Sequence, residues 1–212
     1  MKNYYRIMLG RKSVFAQQAH EGNYIGADYN IKMDLKHKLT ENWRDFNKEF
    51  IPIYLESHPD KTKVAAGLAC GMLWTICKGI LIGDIVLCPD GKGNYYVGEV
   101  TGDYEYQKDA ALSHRRKVNW YGKTISRDEL SEPLRNSAGS IGTVSNITKH
   151  GKEIESLISG SGPVSIISTD ETIESPSQFA LEQHLEDFLV KNWHHTELGK
   201  RYDIYEEDGE IV

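Results

Sequence analysis

The sequence predicts an α+β fold, and three stretches carry that expectation. Residues 79–100 place two runs rich in Ile, Val, Leu and Tyr on either side of Pro89-Asp90-Gly91-Lys92-Gly93-Asn94, the pattern of a β-hairpin with a longer loop. Trp43, Phe46, Phe50, Ile53 and Tyr54 recur at three- and four-residue steps, as in an amphipathic helix. Val64, Leu68, Met72 and Ile76 repeat every fourth residue after Thr62 and predict a second helix. A hairpin is marginal alone, so the rest of the chain must supply strands and helices to cover it.

In chain order, Tyr4 to Leu9 reads as a first strand, broken by Gly10-Arg11-Lys12-Ser13. Val14 to His20 fits a brief helix with Ser13 as N-cap. Arg11, Lys12 and the free amides after Ser13 converge at a strand end, where an anion would fit; a solvated loop with an ordinary cap is the alternative. Residues 23–31 read as a strand or extended segment. In the next helix Pro52 predicts an interruption after residue 51, and Trp43 and Phe46 read as core anchors. The helix opened by Pro59-Asp60-Lys61-Thr62 carries Gly67 and Gly71 in its interior, which implies close packing on that side. Trp74 either closes the core or lines a cleft beside the hairpin.

Within the hairpin, period-2 alternation sets Tyr95, Val97 and Glu99 on one face and Tyr96, Gly98 and Val100 on the other. Residues 102–107 carry alternating aromatics into a loop. His114 to Tyr121 is a strand that combines basic residues with two aromatics, the pairing that suits phosphate attraction plus base stacking. Alternation groups Arg116, Val118 and Trp120, and sets Arg115, Lys117, Asn119 and Tyr121 opposite; a solvated strand with Trp120 buried is the alternative. Ser126 and Glu129 form a capping box, residues 143–148 a strand or turn, and residues 153–158 a short helix. Composition shifts across residues 161–176, which read as a linker. Ser175, Pro176 and Gln178 then make a helix start leading into residues 177–212, which carry a strand at Tyr202–Tyr205.

Composition narrows the functions. The 212 residues permit one large domain or two modest ones, and 39% apolar with 26% charged residues describes a globular chain. No apolar run is long enough to span a membrane, and Met1 to Arg6 lacks a signal-peptide core. Cys70, Cys77 and Cys88 form no cluster and read as buried thiols of a cytoplasmic protein. A net charge of -6 argues against a uniformly basic nucleic-acid binder. It conceals an asymmetry: residues 1–50 hold nine basic and six acidic side chains, residues 177–212 three and nine. One local basic patch is compatible with that distribution. No Gly-rich phosphate loop, His-Glu-x-x-His or nucleophile elbow is present, and the adjacent His194 and His195 point apart on a helix. No catalytic or metal-ligating residue is assigned.

Two resemblances sharpen these readings. Lys63 to Trp74, Gly83-Asp84-Ile85-Val86-Leu87-Cys88-Pro89 and Gly139-Ser140-Ile141-Gly142-Thr143-Val144 resemble the N-terminal domain of bacterial restriction-endonuclease-like proteins, here placed in the PUA-like superfamily with the EVE and YTH domains. That resemblance implies, for residues 1–160, a small curved β-barrel flanked by helices with a pocket for a modified or flipped base. Phe179 to Leu189, Trp193, Leu198-Gly199 and Tyr202 to Gly209 are similar to the opening of a NucS-like endonuclease domain of the PD-(D/E)XK fold. In that family the metal-binding Asp and Glu-x-Lys follow this point. The resemblance therefore implies a chain without its own cleavage residues or turnover, and Mg²⁺ only where a complete nuclease domain follows; Glu182 or Glu186 alone cannot hold the ion. Together they imply a DNA-binding, modified-base-recognising module of a restriction system in antiviral defence. Arg11, Lys12, Arg115, Arg116 and Lys117 are the phosphate candidates, and Trp74, Tyr96, Trp120 and Asn146 the base-pocket candidates. The alternatives are an RNA-binding or nucleotide-sensing domain, or an assembly module whose helix at residues 177–194 packs on a partner; a homodimer is a further expectation.

Overall fold

A computed structural model describes residues 2–160 together with two short strands, Glu206–Glu207 and Glu210–Ile211. Two compact units divide the chain, Met1–Pro163 and Val164–Val212. The first is α+β. Its elements run β1 (Tyr4–Ile7), a 3-10 turn at Arg11–Ser13, α1 (Ala16–Glu21), β2 (Tyr24–Ala27), α2 (Trp43–Ser57) and α3 (Lys63–Trp74). A π-turn at Thr75–Gly79 follows, then β3 (Ile85–Pro89), β4 (Asn94–Tyr106), β5 (His114–Ser126), α4 (Glu132–Ala138), β6 (Val144–Asn146) and α5 (Gly151–Ser159). In the second unit β7 (Glu206–Glu207) and β8 (Glu210–Ile211) pair antiparallel. The expected helix at residues 177–194, Glu182, Glu186, the His194-His195 pair and the Tyr202–Tyr205 strand lie outside the described residues.

The six strands of the first unit form one open sheet in the order β2-β5-β4-β3-β1-β6. Only β1 and β3 run parallel; every other pair is antiparallel. The sheet does not close on itself: β2 and β6 are its edges, so the curved closed barrel is replaced by an open mixed sheet. The hairpin stands at its centre, with Ile85 opposite Glu99 and Cys88 opposite Tyr96. Strands β4 and β5 are longer than their sequence signals, because residues 102–106 continue the ladder beyond an irregularity at Val100/Tyr104.

Both sheet faces are covered, and strand alternation assigns each side chain to one of two cores. Tyr5, Ile7, Val86, Cys88, Val100 and Val118 pack beneath α1, α2, α3 and the π-turn. Tyr4, Ile85, Leu87, Tyr95, Val97 and Ile125 pack beneath α4 and α5 through Leu134, Ala138, Ile154 and Leu157. The predicted hairpin faces therefore hold: Tyr95 and Val97 look one way, Tyr96 and Val100 the other.

The helices depart from expectation in three places. Ser13 is not a cap; its hydroxyl donates to Met8 Sδ at 3.1 Å, and α1 begins without a side-chain cap. Helix α2, capped by Asn42, runs through Pro52 to Ser57, since Pro52 and the Lys48 carbonyl it strands both lie on the exposed face. Helix α3, capped by Thr62, buries Ala66, Ala69, Cys70 and Leu73, while Val64 and Leu68 are exposed. Small residues let α3 approach the sheet, so the first half of the large-residue line, Val64 and Leu68, faces outward while Ile76 at its end is buried.

Candidate nucleic-acid interface

The chain is pinned at the centre of the sheet by groups that look functional in sequence but are structural here. Asp84, of the Gly83-Asp84 motif, is buried and accepts from the Asn3 amide at 2.9 Å, Asn3 Nδ2 at 3.1 Å and the Leu81 amide at 2.9 Å. It ties the start of β1 to the turn before β3. Gly83 sits at φ +92°, in the left-handed region that favours glycine.

Arg6 on β1 is fully buried. Its guanidinium donates to the Gly142 carbonyl at 2.7 Å, to Ser140 Oγ at 2.8 Å and to the Ser140 carbonyl. Burial pushes its pKa down, yet these oxygens replace water around the charge. The loop at residues 139–143 is thereby clamped against the sheet edge, with Ile141 at its tip fully exposed.

That loop is one wall of a cavity of about 570 Å³. Met8, Phe15, Leu112 and Ile141 supply apolar surface; Asp28, Tyr29 and Thr143 supply polar groups; Arg11 and Lys12 stand at the rim. The volume falls within the roughly 300–1,000 Å³ of small-ligand sites. Three of the lining residues hold left-handed backbone, Lys12 at φ 55°, Tyr29 at 53° and Leu112 at 51°, and Ser13 and Asn30 beside them do the same. Such conformations are uncommon for bulky side chains and gather at ligand sites, where surrounding structure enforces them.

The enforcing contacts are visible. Asp28 accepts from the Asn30 amide at 2.7 Å and from Ser113 Oγ at 3.1 Å, which fixes its carboxylate at the cavity wall. Arg115 donates to the carbonyls of Leu112 and Ala111, each at 2.8 Å, and its guanidinium lies 3.9 Å over the Tyr24 ring. The Gly91 turn of the hairpin backs the 3-10 turn: a Cβ there would lie 3.3 Å from the Lys12 carbonyl. Lys92, next to Gly91 in the same turn, is an exposed cation. Burial raises the Tyr29 phenol to about 12, so it remains a neutral donor.

The five phosphate candidates separate. Arg11 and Lys12 are exposed, without an ion pair among the described residues. Arg115 serves the loop at Ala111 and Leu112. Arg116 is buried, donating to the carbonyls of Gly102 and Ile80 at 2.7 Å and Cys77 at 3.3 Å, so it cannot reach a phosphate. Lys117 pairs with Glu105 at 2.9 Å on the exposed surface of β4 and β5.

The four base-pocket candidates also separate. Trp74 and Asn146 line a second cavity of about 450 Å³, which Trp43 also borders. Tyr96 and Trp120 line neither the first cavity nor the second; they pack against His20 of α1, with centroids 4.1 and 5.5 Å from the imidazole. Trp43 is 42% exposed, not a core anchor, whereas Phe46 is fully buried. Phe15, Asp28, Tyr29, Met72 and Leu112 are lining residues that sequence reasoning misses. The Asx turn at Asp28-Tyr29-Asn30 is a usable signal for two of them; nothing local marks Leu112.

Catalytic chemistry finds little footing. Cys70, Cys77 and Cys88 are all buried, and burial pushes each thiol up, Cys70 to about 11. Ser137 Oγ lies 2.9 Å from His150 Nε2, but neither residue lines either cavity. Among the described residues no group of three or more His, Cys, Asp or Glu side chains could hold a metal ion. No described helix is long and apolar enough to cross a membrane.

Residues 5–148 match a family described as a domain of unknown function, DUF8426. The chain belongs to this family. The match runs from the second residue of β1 through β6 and includes every residue of the first cavity. No curated protein matches the chain.

Proposed function

We propose that this DUF8426 domain is a PUA-like nucleic-acid reader that takes an extruded, modified base of DNA into the first cavity, as the recognition module of a modification-dependent restriction system. The observation that carries the reading is the pairing of a mostly apolar cavity, roomy enough for a base, with unpaired cations at its rim. Arg11, Lys12 and Lys92 meet the phosphates; Phe15, Leu112 and Met8 face the base; Asp28 accepts from an exocyclic amine at its edge. The carboxylate accepts from the exocyclic amine of adenine, cytosine or guanine derivatives, whereas thymine offers only its ring N3–H. The resemblance to restriction-endonuclease-like proteins supplies the biological setting.

The test compares affinity for matched duplexes carrying plain cytosine, 5-methylcytosine, 5-hydroxymethylcytosine and N6-methyladenine at fixed salt, with a hairpin RNA as competitor. A preference of tenfold or more for one modified duplex, lost in Asp28→Ala, is expected. Equal affinity across the set removes base reading, and tighter RNA binding turns the domain into an RNA reader.

A further inference from the structure

The thioether of Met72 is a wall shared by the two cavities. Its Sδ accepts from the Thr143 amide at 3.1 Å and from the Tyr29 hydroxyl at 3.8 Å, both residues of the first cavity. Met72 itself lines the second, with Trp43, Trp74 and Asn146. The Trp74 indole is held in place by its Nε1 donating to the Thr40 carbonyl at 2.9 Å. Trp43, at the start of α2, is open to solvent, and the Arg44 guanidinium lies 4.7 Å from its ring centroid. Indoles beside a cation are the groups on which successive bases of a strand stack.

The floor of this cavity is backbone. Gly67 and Gly71 border it from the interior of α3, where glycine is less favourable than alanine. Packing within the chain does not require them. A Cβ on Gly67 would meet nothing nearer than Ile51 Cδ1 at 3.6 Å, and one on Gly71 nothing nearer than 4.0 Å. The added carbon would instead occupy the cavity. The π-turn at Thr75–Gly79 lines it too, and π-turns recur at functional sites.

We propose that the second cavity holds the base adjacent to the one in the first, so that the domain engages two consecutive nucleotides with Met72 between them. The inference rests on the reader function proposed above. The occupant follows from continuity: a strand whose base enters one cavity brings its neighbour to the other side of a single side chain.

Single-stranded hexadeoxynucleotides test it, with the tightest-binding base of the duplex comparison at position three and an abasic site at position two, at position four, or at neither. With the unaltered chain, one of the two abasic positions is expected to weaken binding about tenfold, the cost of one stacked base, and the other to leave it unchanged. Gly71→Ala is expected to weaken binding of the intact hexamer equally and to erase the abasic effect, while its melting temperature stays level or rises. Trp74→Leu should erase the same difference without adding atoms to the cavity. Equal binding of all three hexamers overturns the second subsite and leaves the reader function standing. An abasic effect that persists in both variants places the neighbouring base elsewhere and also overturns it. Failure of every hexamer and every duplex to bind removes the reader function, and this inference with it.

Discussion

Two basic stretches of similar composition, Arg11-Lys12 and Arg115-Arg116-Lys117, have opposite fates in this fold. The first lies on a strained 3-10 turn whose side chains leave the molecule. The second lies on β5, a strand flanked by β4 and β2 and covered by the π-turn, where a long cation finds carbonyls before it finds water. Arg116 spends three donor bonds on backbone, Arg115 two, and Lys117 pairs with a carboxylate. A basic residue in a central strand is therefore first a candidate for holding loops together. One on a left-handed turn beside a cavity is free to meet a ligand.

The largest effect is expected at Arg116. Replacing it by Met keeps the aliphatic stem but leaves the carbonyls of Gly102, Cys77 and Ile80 without their donor. A loss of about 3 kcal/mol in unfolding free energy is expected, since each buried unsatisfied group costs roughly 1–3 kcal/mol. Urea titration measures it. A loss below about 1 kcal/mol would mean that Arg116 is not structural, and β5 would return as a phosphate contact.

The next effect belongs to the turn. Arg11→Ala with Lys12→Ala should leave stability within about 0.5 kcal/mol, as expected for surface changes. Affinity for duplex DNA should fall about tenfold or more, and the slope of log affinity against log salt should become shallower by about 2, one for each phosphate no longer neutralised. An unchanged salt slope would remove this turn from the interface.

The hairpin was legible because a turn cluster sits between two runs with period-2 alternation, and both face assignments survive in the cores. The grouping of Arg116, Val118 and Trp120 on one face was legible for the same reason. The partners of Arg116 were not, because Cys77 and Ile80 lie far from it in the chain and offer only backbone oxygens. The close approach of α3 was legible in its small residues, and Ala66, Ala69 and Cys70 make the contact, whereas the exposure of Val64 and Leu68 was not, because hydrophobic periodicity favours large residues. Of the first cavity only the Arg11-Lys12 side was legible. Its walls come from four separated segments, and the left-handed Lys12, Tyr29 and Leu112 are residue types that carry no signal for that backbone.

His114 opens the β5 basic run and adds a pH-dependent contrast with the turn. Its Nε2 donates to the Ile31 carbonyl at 2.7 Å, so Nδ1 accepts from the Tyr104 hydroxyl at 3.0 Å. Asp28 and Asp34 favour the imidazolium, but burial outweighs them and the pKa is lowered. The unfolded chain therefore binds more protons near pH 6. The stability His114 contributes is complete above its unfolded pKa of about 6.5 and is lost as pH falls through its lower folded value, at no more than about 1.4 kcal/mol per pH unit. Urea midpoints from pH 7 to 5 should drop, and His114→Gln should flatten that portion of the curve. An unchanged slope would assign it to other groups, among them His150, whose pKa burial also lowers.

The smallest effect is expected at Lys117. Its ammonium is 2.9 Å from Glu105, but the lysine and glutamate side chains are 64% and 42% exposed, so water and salt screen the pair. Exposed pairs of this kind contribute about 0.2–1 kcal/mol. Lys117→Ala should thus cost less than about 0.5 kcal/mol in urea and leave DNA affinity within twofold, although the residue has the same charge as Lys12. Glu105→Gln separates two reasons for that silence, because it releases the lysine without removing it. If the pair alone keeps Lys117 from DNA, Glu105→Gln should raise affinity at low salt and the gain should vanish at high salt. If position on the strand keeps it away, affinity should not move at either salt. The second result is expected, since Lys117 borders neither cavity. A salt-sensitive gain would extend the interface from the cavity rim to the exposed surface of β4 and β5, and the division between binding and structural cations would rest on pairing alone.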